Sequence, residues 1–364
     1  MERAWYKSVN WTMAATAVVL ALFGVLVIHS ANLHDPSAAF EWRKQSVYVA
    51  LGVVVMAAFA AVDYHVWQRW SLRLYALNLL LLGLVMVGGR SALGAQRWIT
   101  VGPLQFQPSE PAKLILAICI AALLARPNVA WREIALILAA VAVPALIILK
   151  QPDLGTTLVI VAILSAELFV GVSKTWHFLT YAAAVAAGAW FVAGTKYVLK
   201  PFQRNRLLVF LDPHADPRGA GWNLNQSQIA VGSGELYGKG LYHGTQTQLN
   251  FVPEHSRDFI FTVVGEEFGY LGALALIGLY AFVLFGALRA VLAARDRFGV
   301  LLAVGLLAML AFHITVNIGM TVGIMPITGI PLPFVSYGGT AVLTDFAAVG
   351  VLLNVYYQRD KLVF

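Results

Sequence analysis

Apolar runs of membrane length recur along this chain from residue 11 to residue 357, and the only long stretch without one is residues 198–258. A bilayer core about 30 Å thick takes about 20 apolar residues as a helix. Inside it every backbone polar group must be satisfied by the protein itself, which leaves helices or closed barrels. The runs are continuous rather than alternating, so a barrel is excluded. Of 364 residues, 60% are hydrophobic and 12% charged, about half the charge of a typical soluble domain. The chain reads as all-α, a polytopic integral membrane protein forming one domain over residues 1–364.

Ten spans are expected, near 11–30, 46–63, 72–89, 110–125, 133–149, 155–172, 177–196, 260–290, 299–323 and 338–357. An even number puts both termini on one side. With both inside, the inner segments hold Arg3, Lys7, Arg69, Arg73, Arg126, Arg132, Lys174, Arg289, Arg295, Arg297, Arg359 and Lys361. The short outer loops then hold only Arg43, Lys44, Arg90, Arg97 and Lys150. Positive charge favours the inside of short loops, so the expectation is N-in and C-in. The 198–258 loop, between the seventh and eighth spans, then lies outside the cell membrane. The net charge of +7 sits in loops rather than on a face of a soluble domain, so nucleic acid is not an expected partner. Cys119 falls mid-span and, as the single cysteine, forms no internal disulfide. The first span lacks a convincing cleavage site and reads as a retained anchor.

The inner loops 64–71, 126–132, 173–176 and 291–298 are short connectors. The outer segments 90–109, 150–157 and 324–339 are dense in Gly and Pro, which fix backbone bends. Chemistry is therefore expected on the outer face. Asp258 ends the long loop where the chain re-enters the bilayer, a place where an acid reads either as a helix cap or as a functional group. Lys113 lies one turn into the fourth span behind Ser109, a plausible N-cap, and shares a face with Glu110 at i−3. A lysine there must be paired or face water. It answers Glu110 locally, or it answers a phosphate or a second carboxylate such as Asp258.

Arg97, beside Trp98, reads as a phosphate ligand or an interfacial anchor. Asp153, just before the sixth span, reads first as a cap or turn former. Residues 197–211 alternate cations with apolar side chains, including Arg204 and Arg206, and suit an interfacial segment facing anionic head groups or anchoring the seventh span. Glu266 and Glu267 cannot both face one partner, so one is expected buried and paired, the other facing a cleft. The Gly- and amide-rich segment 226–246, ending in Gln246, suits a polyhydroxylated ligand. No P-loop, Gly-x-Ser-x-Gly elbow or His-Glu-x-x-His site is present.

Taken together, Gln151-Pro-Asp-Leu-Gly-Thr156, Gly238-Lys-Gly240 with Gly244-Thr-Gln246, Pro253-Glu-His-Ser-Arg-Asp-Phe-Ile-Phe261, Gly265-Glu-Glu267 and Pro331-Leu-Pro-Phe-Val-Ser-Tyr-Gly-Gly339 resemble the SEDS family of cell-wall polymerases over essentially the whole chain. Residues 244–249 and 320–334 resemble its elongation branch rather than its division branch. Arg257 stands where the family usually has Thr, and Thr340 where it has Ser. Arg257 adds a cation beside Asp258, which acts to lower the pKa of that acid.

The resemblance implies a peptidoglycan glycosyltransferase that polymerises lipid II at the outer face of the bacterial cytoplasmic membrane during elongation. It implies lipid II and undecaprenyl-pyrophosphate-linked glycan as ligands. It also implies a class B penicillin-binding protein as transpeptidase partner within the cell-elongation complex. The family's essential aspartate falls on Asp258, and its fourth-helix lysine on Lys113. Arg97, Glu110, Asp153, Arg204, Arg206, Gln246, Glu254 and Ser336 are the substrate-binding candidates. Asp258 acts as general base, or it holds a divalent cation such as Mg or Mn against the pyrophosphate. The competing readings are a transporter that flips the lipid-linked precursor, and a non-catalytic scaffold that activates a partner.

Overall fold

In a computed structural model, residues 9–360 are described, apart from 37, 89, 93–94, 102–103, 127–128, 173, 196–198, 200, 213–215 and 217–218. Arg3, Lys7, Tyr197, Lys200 and Lys361 lie outside the described residues. The helices are α1 (Trp11–Ala31), α2 (Glu41–Ala61), α3 (Tyr64–Gly88), α4 (Ser109–Leu124), α5 (Trp131–Lys150), α6 (Leu154–Gly171), α7 (Thr175–Gly194), α8 (Pro201–Leu211), α9 (Ala220–Ser233), α10 (Thr245–Gln248), α11 (Ile260–Ala293), α12 (Arg297–Val322) and α13 (Gly339–Tyr357). Each segment expected to span the membrane is helical. Eight of these helices are long and apolar enough to cross a bilayer: α1, α2, α3, α5, α6, α11, α12 and α13. The expected fourth and seventh spans are α4, of 16 residues, and α7, of 20. The protein is thus a mostly helical, multi-pass membrane protein.

The bundle centres on α12 and α13. Leu302, Leu306, Met309 and Leu310 of α12 and Phe346, Val349 and Leu352 of α13 are fully enclosed. Small residues let helices close up. A side chain at Gly52 would strike the Phe346 ring, and one at Gly350 would strike the α2 backbone at Met56. Side chains cap three of the long helices: Asn10 accepts from Met13 N at 3.3 Å, Asp153 from Thr156 N at 3.2 Å and Asp296 from Phe298 N at 3.1 Å, each satisfying an orphan amide.

The 198–258 segment is not an open loop. It folds into α8, α9 and α10 around a second apolar cluster of Val209, Leu224, Ala230, Val252 and Phe259 with Met320 and Ile327. It is also stitched into α11, which is broken at Gly269 (φ 65°, ψ −163°). That break frees the carbonyls of Glu266 and Glu267, and the amides of Lys239 and Gly240 donate to them at 3.0 and 2.9 Å. In return Tyr270 N donates to Glu235 O at 2.9 Å. Only glycine fits at residue 269, because φ is positive and a Cβ would overlap Gly238 N.

Residues 90–106 carry a sheet that the Gly- and Pro-rich sequence did not suggest. Strands β1 (Arg90–Ala92), β2 (Ala95–Val101) and β3 (Leu104–Phe106) pair antiparallel in the order β1-β2-β3. The register sets Ala92 opposite Ala95 and Ile99 opposite Phe106. This small meander leads straight into α4 and places Arg97 beside the start of α6.

Candidate functional site

A cavity of about 460 Å³ opens where the polar ends of α4, α6 and α8 meet the 324–338 segment and the start of α11. Asp258, Lys113, Glu110, Arg97, Asp153, Arg206 and Glu254 all line it. Seven of the ten site residues expected from sequence therefore share one space.

Asp258 sits two residues ahead of α11 and does not cap it. The N-cap is Phe259, and no side chain caps that end. The segment is held instead through its backbone. Asn317 Nδ2 donates to Asp258 O at 2.8 Å and to Ile330 O at 2.7 Å, so one amide of α12 ties two loops together. Ser336 Oγ donates to Arg257 O at 2.6 Å, and Tyr337 N donates to Ser256 O at 2.9 Å. The 331–339 motif thus fastens the 256–258 turn. With the backbone fixed, the Asp258 carboxylate faces the cavity, partly exposed. Opposite it, Gly329 (φ 73°) keeps a gap open: a Cβ there would lie 3.1 Å from both Asp258 Oδ2 and Arg206 Nη1.

Burial pushes the Asp258 pKa up to about 6. Arg206 opposes the rise most, Glu254 adds to it, and Arg257 and Arg97 oppose it more weakly. Arg257 does act downward, as its charge suggests, but burial outweighs it. Arg257 is also shared with other acids, at 3.4 Å from Glu41 Oε1 and 3.2 Å from Glu254 Oε2.

Lys113 is only 2% exposed. Its Nζ donates to Glu110 Oε2 at 2.8 Å and lies 2.9 Å from His313 Nε2. The local pair with Glu110 therefore forms, and it forms on the wall of the cavity. Ser109 does not cap α4; the N-cap is Pro108, and Ser109 Oγ donates to Asp153 Oδ2 at 3.2 Å. Asp153 does cap α6, accepting from Thr156 N at 3.2 Å, while Gln107 Nε2 donates to it at 3.3 Å. Arg97 donates from Nε to Gln151 O at 3.0 Å, donates to Pro152 O, and lies 4.0 Å from Asp153 Oδ1. Its guanidinium clamps the 151–153 turn with one edge left on the cavity.

Three expected site residues do not line the cavity. On α8, Gln203 and Val209 are buried and Arg206 lies midway between them at threefold spacing, whereas Arg204 points off that face. Gln246 donates its backbone N–H to Glu266 Oε1 at 2.8 Å. Ser336 is buried as the fastener already described. Glu266 and Glu267 are both buried and neither faces the cavity. Glu266 accepts from Lys239 Nζ at 2.7 Å and from the amides of Gln246 and Thr247, pinning the 239–247 segment, while Glu267 accepts from Ser30 Oγ at 2.5 Å. His313, 200 residues from Lys113 in sequence, was not foreseen. A lone histidine inside an apolar run gives no signal until its neighbours are known.

The site offers a carboxylate whose pKa is raised to about 6, a buried ammonium and the three guanidinium groups of Arg97, Arg206 and Arg257 around one space. That set suits removal of a proton beside a neutralised anion. Among the described residues no group of three or more His, Cys, Asp or Glu side chains could hold a metal ion, and Arg206, Arg257 and Arg97 as well as Glu254 act on the Asp258 charge.

A family model described as cell cycle protein, FtsW/RodA/SpoVE, matches residues 10–361. The peptidoglycan glycosyltransferase MrdB of Escherichia coli (strain K12) is 36% identical over 96% of this chain and 94% of its own. A chain from a peptidoglycan synthase complex, solved in a study of how polymerization and crosslinking are coordinated, matches with a TM-score of 0.83 at 32% identity, covering 97% of this chain and 99% of that one. The crystal structure of the rod shape determining protein RodA of Thermus thermophilus matches with a TM-score of 0.72 at 29% identity, covering 97% and 98%.

Proposed function

Because this chain belongs to the FtsW/RodA/SpoVE family of cell cycle proteins, we propose that the cavity around Asp258 is where it joins lipid-linked sugars into glycan. The chain is a peptidoglycan glycosyltransferase of the RodA-like, cell-elongation branch. Its substrate on this reading is lipid II, and its by-product is undecaprenyl pyrophosphate. On this reading the chain has ten spans with both termini inside and the cavity opens at the outer face of the cytoplasmic membrane; the excess of Lys and Arg in the short inner loops supports it. A class B penicillin-binding protein of the elongation complex is the transpeptidase partner; the similarity to a synthase-complex chain supports this.

The reaction forms a bond between an acceptor hydroxyl oxygen and the donor's anomeric carbon. The bond from that carbon to the pyrophosphate oxygen breaks, and the hydroxyl proton must leave. Asp258 takes that proton as general base. The observation that carries this assignment is a cavity-facing carboxylate whose pKa is raised to about 6, close to working pH, where a base is most effective. Lys113 and Arg206 balance charge on the departing pyrophosphate, since cations preplaced in a site shielded from water stabilise developing negative charge strongly. Arg97, Glu110, Asp153 and Glu254 shape and hold the donor and acceptor head groups. Arg204, Gln246 and Ser336 do not line the cavity; Gln246 and Ser336 support it through their hydrogen bonds to Glu266 and to the Arg257 carbonyl.

The test is polymerisation of lipid II by the purified protein with its partner's transpeptidase inactivated. Glycan strands are the expected product. No glycan, with flipping of the lipid-linked precursor intact in vesicles, would replace this reading with the transporter.

A further inference from the structure

We infer that His313 is a positioning residue that aims the Lys113 ammonium into the cavity. His313 lies on α12, opposite α4, and is 2% exposed. Its Nδ1 is 2.7 Å from Met309 O, one turn back on the same helix, and its Nε2 is 2.9 Å from Lys113 Nζ. A carbonyl only accepts and an ammonium only donates. The two contacts therefore fix one form of the ring: neutral, with the hydrogen on Nδ1 and the lone pair on Nε2 toward Lys113. Lys113 has three N–H donors. Among the described residues Glu110 Oε2 takes one at 2.8 Å and His313 takes another. The third is free for a ligand in the cavity that Lys113 and His313 both line.

A neutral acceptor suits this position better than a second acid. Glu110 already balances the ammonium, and another carboxylate at hydrogen-bond distance would leave net negative charge where a pyrophosphate must sit. The imidazole restrains direction without changing charge. A second partner on a different helix also removes the freedom a lysine stem has when held at i−3 alone. A ring that orients a reacting group through its other nitrogen is a familiar arrangement around metal ligands; here the group held is an ammonium.

This inference rests on the reading of Lys113 as the group that meets pyrophosphate, and the experiment separates the two. Lipid II polymerisation is measured for wild type, Lys113→Met, His313→Leu and His313→Gln, with thermal midpoints for each. His313→Leu keeps bulk but removes the acceptor; kcat is expected to fall roughly 10–100-fold with KM little changed. His313→Gln, whose amide oxygen can accept the same hydrogen, is expected to recover most of that rate. His313→Met serves as the apolar variant if the leucine protein does not fold. Wild-type kcat in a folded apolar variant would overturn the inference. So would equal loss in folded Leu and Gln variants, because the acceptor would then be irrelevant. Wild-type activity in Lys113→Met would instead overturn the reading of Lys113 itself.

Discussion

Lys113 and Asp258 line the same cavity, and among the described residues no ion pair joins them. Lys113 is taken up by Glu110 and His313, and Asp258 faces Gly329 and Arg206. Had the two met directly, the base would be neutralised by the cation and neither would be available to substrate. Kept apart by separate partners, they leave room between the proposed proton acceptor and the proposed anion site.

With Asp258 as the proposed base, its raised pKa should give the activity an acid limb. Below about 6 the carboxyl is protonated and cannot accept the hydroxyl proton, so kcat/KM for glycan formation is expected to climb through pH 6 and level above it. Arg206 holds the pKa down and Glu254 holds it up. Arg206→Met should therefore move the limb to higher pH, and Glu254→Gln to lower pH. Limbs that stay fixed, or move the other way, would show that another group titrates.

Gly269→Ala should destabilise the protein. The residue has φ 65° and lies against the Gly238 amide, and a side chain in that conformation costs on the order of 1–3 kcal/mol before any overlap is relieved. Gly278→Ala, where no atom lies within 4 Å of the new Cβ, should leave the thermal midpoint in detergent nearly unchanged. Equal midpoints for both variants would contradict the account of the α11 break.

Glu266→Ala should loosen the segment from Lys239 to Thr247 rather than attack the cavity. It removes the acceptor for Lys239 Nζ and for two backbone amides. Proteolysis within 239–250 should accelerate, with a loss of stability on the order of 2 kcal/mol, allowing for the partial exposure of Lys239. Unchanged cleavage would mean that packing alone holds this segment.

Much of the architecture was legible because the bilayer demands it. Continuous apolar runs gave ten helical segments with ends within a few residues of those observed, except that α2 and α3 start well before the expected spans, at Glu41 and Tyr64. The Lys113–Glu110 pair was legible because i and i+3 share a helix face. Long-range facts were not. Arg204 and Arg206 look equivalent in an alternating segment, and only the packing of Gln203 and Val209 selects Arg206. His313 became visible only once α12 was laid against α4. The β1–β3 meander escaped because its Gly and Pro residues read as bends, and pairing between such short strands leaves little trace in sequence.

The central claim is that Asp258 is the base of the polymerase. The most direct measurement compares glycan made from lipid II by wild type and by a well-folded Asp258→Ala protein, with the partner's transpeptidase inactivated. The account predicts polymer from the wild type and none above background from the variant. Glycan at the wild-type rate from Asp258→Ala would contradict it.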